Sequence, residues 1–276
     1  MRVALLQLNA GDLPEKNLDI TLDYLRWSAA EGANFVLTPE VTNCVSNSRS
    51  HQQSVLQSEA DDLPLAAIRA EAKALGVWVL IGSLGLRTND PDGRFANRSF
   101  LIGPQGQIVA RYDKIHMFDV EIDETETFRE SAGYRPGDSA VVAETDFAKI
   151  GMTICYDVRF AHLHRTLAKA GAQIITSPAA FSPVSGAAHW HTLLRARAIE
   201  TGCFVLAPAQ CGSHPITVGA PRKTYGHSLA VSPWGEVLAD GGENPGITFV
   251  DFDLNDVDKC RKKIPSLTHD RDFKGP

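Results

Sequence analysis

Short apolar runs alternate with amphipathic stretches along the first third of the chain. VALLQL, residues 3–8, is bounded by the turn signal NAGD and reads as a buried strand. Residues 15–31 carry apolar side chains at helical spacing, with Leu18, Ile20, Leu22, Leu25 and Ala29 as the expected inner face. Gly32 follows as a helix stop. FVLTPE, residues 35–40, predicts a second buried strand, and a helix near 63–75 leads into VWVLIGSL, residues 77–84. Strands alternating with helices define an α/β protein.

The pattern then changes. Residues 96–114, ANRSFLIGPQGQIVARYDK, predict two strands around the turn GPQGQ. A polar segment follows over 117–140, long enough for its length alone to point to function. AKIGMTICYD, residues 148–157, predicts a strand ending in a polar turn, followed by a helix from about 160 to 170. GITFVDFD near the end alternates weakly and is expected at a sheet edge, running into a last helix. The polar tail SLTHDRDFKGP is expected either to be loose or to lie over a neighbouring subunit.

Three segments repeat. EGANFVLTPE (31–40) is echoed by KAGAQIITSPA (169–179), LGVWVLIG (75–82) by TGCFVLAP (201–208), and SFLIGPQGQI (99–108) by HSLAVSPWGEV (227–237). Shared αβ composition produces single matches of this kind by chance. Three in one order at nearly constant offset point to two related halves. If each half covers one sheet face with helices, packing the two bare faces together gives a four-layer α-β-β-α sandwich. No stretch rich in Pro, Gly or Ser cuts the chain, so residues 1–276 are expected to form a single domain.

Composition narrows the function. The 33 acidic and 27 basic side chains leave a net charge of −6, a surface that repels phosphate backbones, so no nucleic-acid partner is expected. The basic cluster CRKKIP, near 260–265, reads as the exposed face of a late helix. No apolar run reaches membrane-spanning length, and the opening residues read as a strand and not as a secretory signal. Five widely spaced cysteines, with no CxxC pair, favour a reducing cytoplasm over a disulfide framework or a structural zinc site.

Cys155 lies where a buried strand is expected to stop and a helix to begin. Such a position exposes a thiol at a sheet end, favours its thiolate and offers backbone N–H groups, such as that of Tyr156, to an oxyanion. A buried, inert cysteine is the competing reading. Glu40 and Lys114 close two other strands, and three strand ends of one fold can converge. His116 is the rival base. The pairs His162/His164 and His189/His191 are spaced i,i+2, which does not present both rings on one helix face, and no HExxH is present.

These residues stand in motifs that resemble the nitrilase superfamily of carbon–nitrogen hydrolases over residues 3–270. LTPE carries Glu40, YDKIHMFDVEI carries Lys114 and GMTICYDVRF carries Cys155. The resemblance implies the α-β-β-α sandwich, a Glu–Lys–Cys site, subunits paired by the helices near the nucleophile, and no cofactor or metal. It also selects Glu130, in FRESAGYRPGD, as a further active-site carboxylate. Composition does not separate it from Glu121, Asp123, Glu124 and Glu126. SGAAHWHTLLRARAIETGCFVLAPAQCG (185–212) and RKTYGHSLAVSPWGEV (222–237) resemble the deaminated-glutathione amidase branch, with the ω-amidases nearest to it. RFAHLHR departs from the usual RFPELYR and alters the start of the helix behind the nucleophile.

The implied reaction begins with attack by Cys155 as Glu40 takes its proton. Lys114 and the Tyr156 N–H meet the oxyanion, ammonia leaves, and water activated by Glu40 clears the thioester. Glu130 holds Lys114 or the substrate amide. The expected partner is a small amide carrying carboxylates, held by Arg159 or by Arg222 and Lys223 in the 212–223 loop. Each of these cations has an alternative as a surface charge, and Arg159 has a second alternative as a partner of Asp157. Phe181 and Trp190 form either an apolar wall or core.

Overall fold

The computed structural model describes residues 1–121 and 127–276. Asp123, Glu124 and Glu126 therefore lie outside the described residues. The first half runs β1 (Arg2–Gln7), α1 (Pro14–Ala30), β2 (Phe35–Leu37), α2 (Arg49–Val55), α3 (Leu63–Leu75), β3 (Trp78–Leu86), β4 (Phe95–Ile102) and β5 (Ile108–Asp113). Three short strands follow: β6 (Asp119–Glu121), β7 (Thr127–Arg129) and β8 (Tyr134–Arg135). The second half runs β9 (Val141–Glu144), β10 (Lys149–Met152), α4 (Ala161–Lys169), β11 (Ile174–Thr176), α5 (Pro183–Thr201) and β12 (Phe204–Ala207). β13 (Cys211–Ser213), β14 (Lys223–Tyr225), β15 (Leu229–Val231), β16 (Val237–Asp240), β17 (Gly246–Asp251) and α6 (Asn255–Lys263) complete it.

Two sheets carry the fold, in the orders β17-β1-β2-β3-β4-β5 and β16-β15-β12-β11-β10-β9. Register relates the halves: Phe35 pairs with Val3 and Trp78, as Ile174 pairs with Ile150 and Phe204. By the same register Leu8 is the counterpart of Cys155, and Ala179 that of Glu40. The repeat is thus real in three dimensions. β17 sits at an edge beside β1, as its weak alternation predicts.

Alternation along the strands divides the core. Leu5, Phe35, Leu37, Leu80 and Leu101 of the first sheet meet Ile150, Met152, Ile174, Leu206 and Leu229 of the second. Ala4, Leu6, Val36, Val79, Ile81 and Phe100 point the other way, onto Leu25 of α1 and Leu65, Ile68 and Ala72 of α3. Leu163 and Leu167 of α4 cover the second sheet over Ile175. Helices therefore flank two face-to-face sheets, the expected four-layer α-β-β-α arrangement.

Several boundaries differ from expectation. Ile20 is 48% exposed, because the buried row of α1 runs through Asn17, Thr21, Leu25 and Ser28. The strand expected to reach residue 40 stops at Leu37 and the one expected to reach 157 stops at Met152, freeing both segments to bend into the site. α2, with Ser48 accepting from the His51 N–H as its cap, has no apolar stripe to reveal it. The first part of the tail is held by its own chain: Ser266 O accepts from Arg165 at 2.9 Å, and Asp270 pairs with Arg165 and Lys169. Among the described residues no helix is long and apolar enough to cross a membrane.

Candidate active site

The loops after β2, β5, β10 and β11 meet at one end of the sandwich. Their approach is close. A Cβ on Gly82 of β3 would lie 2.0 Å from Thr38 O and 2.6 Å from Pro178 Cβ, so this position admits glycine alone. Val41 and Cys155 both hold left-handed backbone, at φ 47° and 49°, a conformation costly for residues with a side chain. That bend turns the Glu40 and Cys155 side chains into a common cavity of about 460 Å³.

Lys114 follows directly after β5 and is 2% exposed. Its Nζ donates to Glu40 Oε1 at 2.8 Å and to both oxygens of Glu130 at 2.9 and 2.8 Å. Glu40 Oε2 accepts from the Ala180 N–H at 2.8 Å, and its own carbonyl accepts from Gln210 Nε2 at 3.1 Å. Glu130 Oε2 accepts from the Phe118 N–H at 2.7 Å. The Cys155 backbone is tied to the same loop, its N–H donating to Pro178 O at 2.8 Å.

One ammonium is shared by two carboxylates in this cluster. Burial pushes the Glu40 carboxyl up, but Lys114 outweighs it and holds Glu40 below its ordinary value. Burial pulls the Lys114 ammonium down, and the two carboxylates outweigh that and raise it well above the ordinary value. Burial, and then the Glu40 carboxylate, pushes the Cys155 thiol up. This reverses the expected thiolate. Cys155 opens a 3₁₀ turn, Cys155–Arg159, and α4 begins only at Ala161, so the expected helix does not start at the sulfur. The resting pair is a protonated thiol beside an ionised carboxylate, which is the proper state for proton transfer to Glu40.

Glu40, Lys114, Glu130, Cys155, Tyr156, Phe181 and Arg222 line the cavity together. Arg222 donates to Ala180 O at 2.6 Å and lies over the Phe128 ring. Three expected residues do not line it. Trp190 is fully buried behind Phe181, with ring centroids 4.9 Å apart. Arg159 lies over the Tyr156 and Phe181 rings and contacts His189 Nδ1 at 3.3 Å. Lys223 is exposed on β14. His116 also stands outside, its Nδ1 2.7 Å from Asp157 Oδ1 and its ring stacked on Phe160.

Two contributors escaped the motif reading. Asn97 Nδ2 donates to Glu40 at 2.9 Å and to Glu130 at 3.2 Å, linking the two carboxylates. An amide inside a predicted strand, FANRSFLI, was its signal, since a buried amide must find partners. Asp157 is fully buried and accepts from Tyr112 Oη at 2.6 Å and from the Ile154 N–H at 2.9 Å, bracing the turn that carries Cys155. In the cavity Lys114 occupies the space between the carboxylates. The one group with metal-ligand spacing among the described residues is elsewhere, at His191, His227 and Asp240.

Four layers, two related halves and a Glu–Lys–Cys cluster at the sheet ends place the chain among enzymes of the nitrilase superfamily. The carbon–nitrogen hydrolase family model matches residues 2–262, and the chain belongs to that family. A deaminated glutathione amidase of Yersinia enterocolitica is 39% identical over 271 residues, covering 98% of this chain and 92% of that protein. The Bos taurus deaminated glutathione amidase is 37% identical over 98% of this chain and 81% of its own length. The crystal structure of the C. elegans NitFhit protein superposes with a TM-score of 0.89 at 32% identity, over 98% of this chain. The chain spans 65% of the length of that protein.

Proposed function

We propose that this protein is an amidase that cleaves the amide of deaminated glutathione through a thioester on Cys155. The observation that carries the reading is the meeting of Glu40, Lys114 and Cys155, with Glu130, in one cavity. Glu40 takes the thiol proton as sulfur attacks the carbonyl carbon. The oxyanion is met by the Lys114 ammonium and the Tyr156 N–H. Glu40 returns the proton to the leaving nitrogen. Because the amide of this substrate is in peptide linkage, the leaving group is the amine of cysteinylglycine and not ammonia. Water then loses a proton to Glu40, attacks the thioester, and releases the acid and the restored thiol. Glu130 keeps Lys114 in place throughout.

Two features support the substrate. The relatives named above carry that activity in their names, and the cavity holds a cation for an acidic ligand. Arg222 faces the interior near Glu40 and binds the keto-acid carboxylate. Arg129, at the rim, meets the carboxylate of the tail. Lys223 takes no part, which narrows the expected loop to one residue. Five free cysteines support a cytoplasmic setting, and exposed Ile199, Trp234 and Ile264 support self-association.

A competition assay between deaminated glutathione and α-ketoglutaramate tests the reading. A higher kcat/KM for deaminated glutathione is expected. Preference for α-ketoglutaramate would move the assignment to an ω-amidase. Absence of hydrolysis for both would remove it.

A further inference from the structure

A second cluster of chemically capable side chains lies outside the catalytic cavity. His191 Nε2 is 2.9 Å from Asp240 Oδ2, and His227 Nδ1 is 2.9 and 3.1 Å from the two Asp240 oxygens. One ligand atom from each residue falls within 4.8 Å of the others. The three come from α5, from the connection between β14 and β15, and from the end of β16. None of them lines the catalytic cavity.

The backbone is set for this meeting. Three non-glycine residues among those described have positive φ: Val41, Cys155 and His227, the last at 56°. The first two turn catalytic side chains inward. Strain of this kind persists where the surrounding structure over-determines a position, and it clusters at functional sites. His227 is over-determined: its N–H donates to Gly242 O at 2.6 Å, its carbonyl accepts from Trp190 Nε1 at 2.8 Å, and Tyr225 stacks on its ring. Asp240 is fixed as well, with Oδ1 accepting from the Gly242 N–H at 2.9 Å.

We propose that His191, His227 and Asp240 form a three-ligand site for a borderline divalent cation of the zinc class. Two imidazoles and one carboxylate are the donor set such ions prefer, whereas calcium and magnesium take oxygen. The cation replaces the protons now shared between the two rings and Asp240. All three side chains are partly exposed, at 35%, 19% and 33%, which leaves room for water to complete the coordination. The bound ion ties α5 to β16. Through Trp190, which bridges His227 O and the Phe181 ring, it stiffens the wall of the catalytic cavity.

Titration of chelator-treated protein with Zn²⁺ and Co²⁺ tests the site, with C155S as background so that the catalytic thiol does not compete. One equivalent should bind, raise the melting temperature, and give a Co²⁺ spectrum without thiolate charge transfer. H191A and D240N should each weaken binding by more than about 100-fold, beyond the loss typical of an outer-shell change. H227N should do the same while keeping the fold, because asparagine tolerates left-handed backbone. No stoichiometric binding, affinity unchanged in H191A and D240N, or a thiolate band would each overturn the proposal.

Discussion

The two halves of this molecule share a scaffold and contribute unlike chemistry. The first half carries Glu40 in the loop after β2 and Lys114 directly after β5, while the matching loop after β11 presents Ala179 and Ala180. The second half carries Cys155 in the turn after β10, and its counterpart after β1 is Leu8. Each half thus lacks what the other supplies. The second half answers the Glu40 side chain with a backbone group, the Ala180 N–H. A scaffold with near two-fold repetition therefore builds one site instead of two. That site exists only when both sheets are packed.

The largest test of this division is removal of the second half's proposed nucleophile. C155A should lower kcat by more than about 10⁴-fold while near-native melting is kept, as measured by steady-state turnover and calorimetry. Hydrolysis at an undiminished rate would place the nucleophile elsewhere. Next comes the first half's base. E40Q should cost about 10³-fold in kcat, with intact-mass spectra free of accumulated acyl-enzyme.

The state of the pair sharpens this point. Glu40 is held below its ordinary value and Cys155 above, so kcat/KM should stay flat from about pH 6 to about pH 9. A rise with a midpoint inside that window would mean a titrating thiolate, and would break the assignment of Glu40 as base. The stability linkage has a definite sign as well. A depressed Glu40 stabilises the fold above the unfolded value of about 4.3, and this contribution is lost as pH falls through the folded one.

Smaller effects separate neighbours. R222A should raise KM for the acidic substrate by roughly 10- to 100-fold, the loss of a charge-assisted contact, while K223A changes little. Equal effects from both would return the whole loop to the role of substrate wall. N97A should reduce kcat about tenfold with KM nearly constant, since the Asn97 amide donates to both carboxylates and holds them in register with Lys114. A KM effect alone would make it a binding group.

The α-β-β-α layers were legible because apolar runs, helical spacing and the repeat agreed. Glu40, Lys114 and Cys155 were legible as strand ends, although their convergence was not. Glu130 was selected by resemblance alone, for composition offers no way to choose within an acidic segment. What stayed hidden depends on direction and burial. Trp190 and Phe181 share an apolar character, yet one lies behind the other. Spacing does not say that a strand stops at Met152 and a 3₁₀ turn intervenes, so the thiol was expected to be acidic when burial makes it the reverse. His191 and His227 belong to elements far apart in the chain, and a search by spacing tests only neighbours.

The crossing of one late strand has a consequence during synthesis. β17 belongs to the second half by sequence but completes the first sheet. β1 emerges among the earliest residues and pairs along its whole length with Gly246–Asp251. At about 5–20 residues per second, its outer edge waits roughly 12–50 s for that partner on the ribosome. Until then Val3, Leu5 and their neighbours form an unpaired apolar edge, the kind that templates aggregation. Nascent-chain stalling before residue 246 should therefore yield insoluble or chaperone-held protein, however complete the catalytic residues already are.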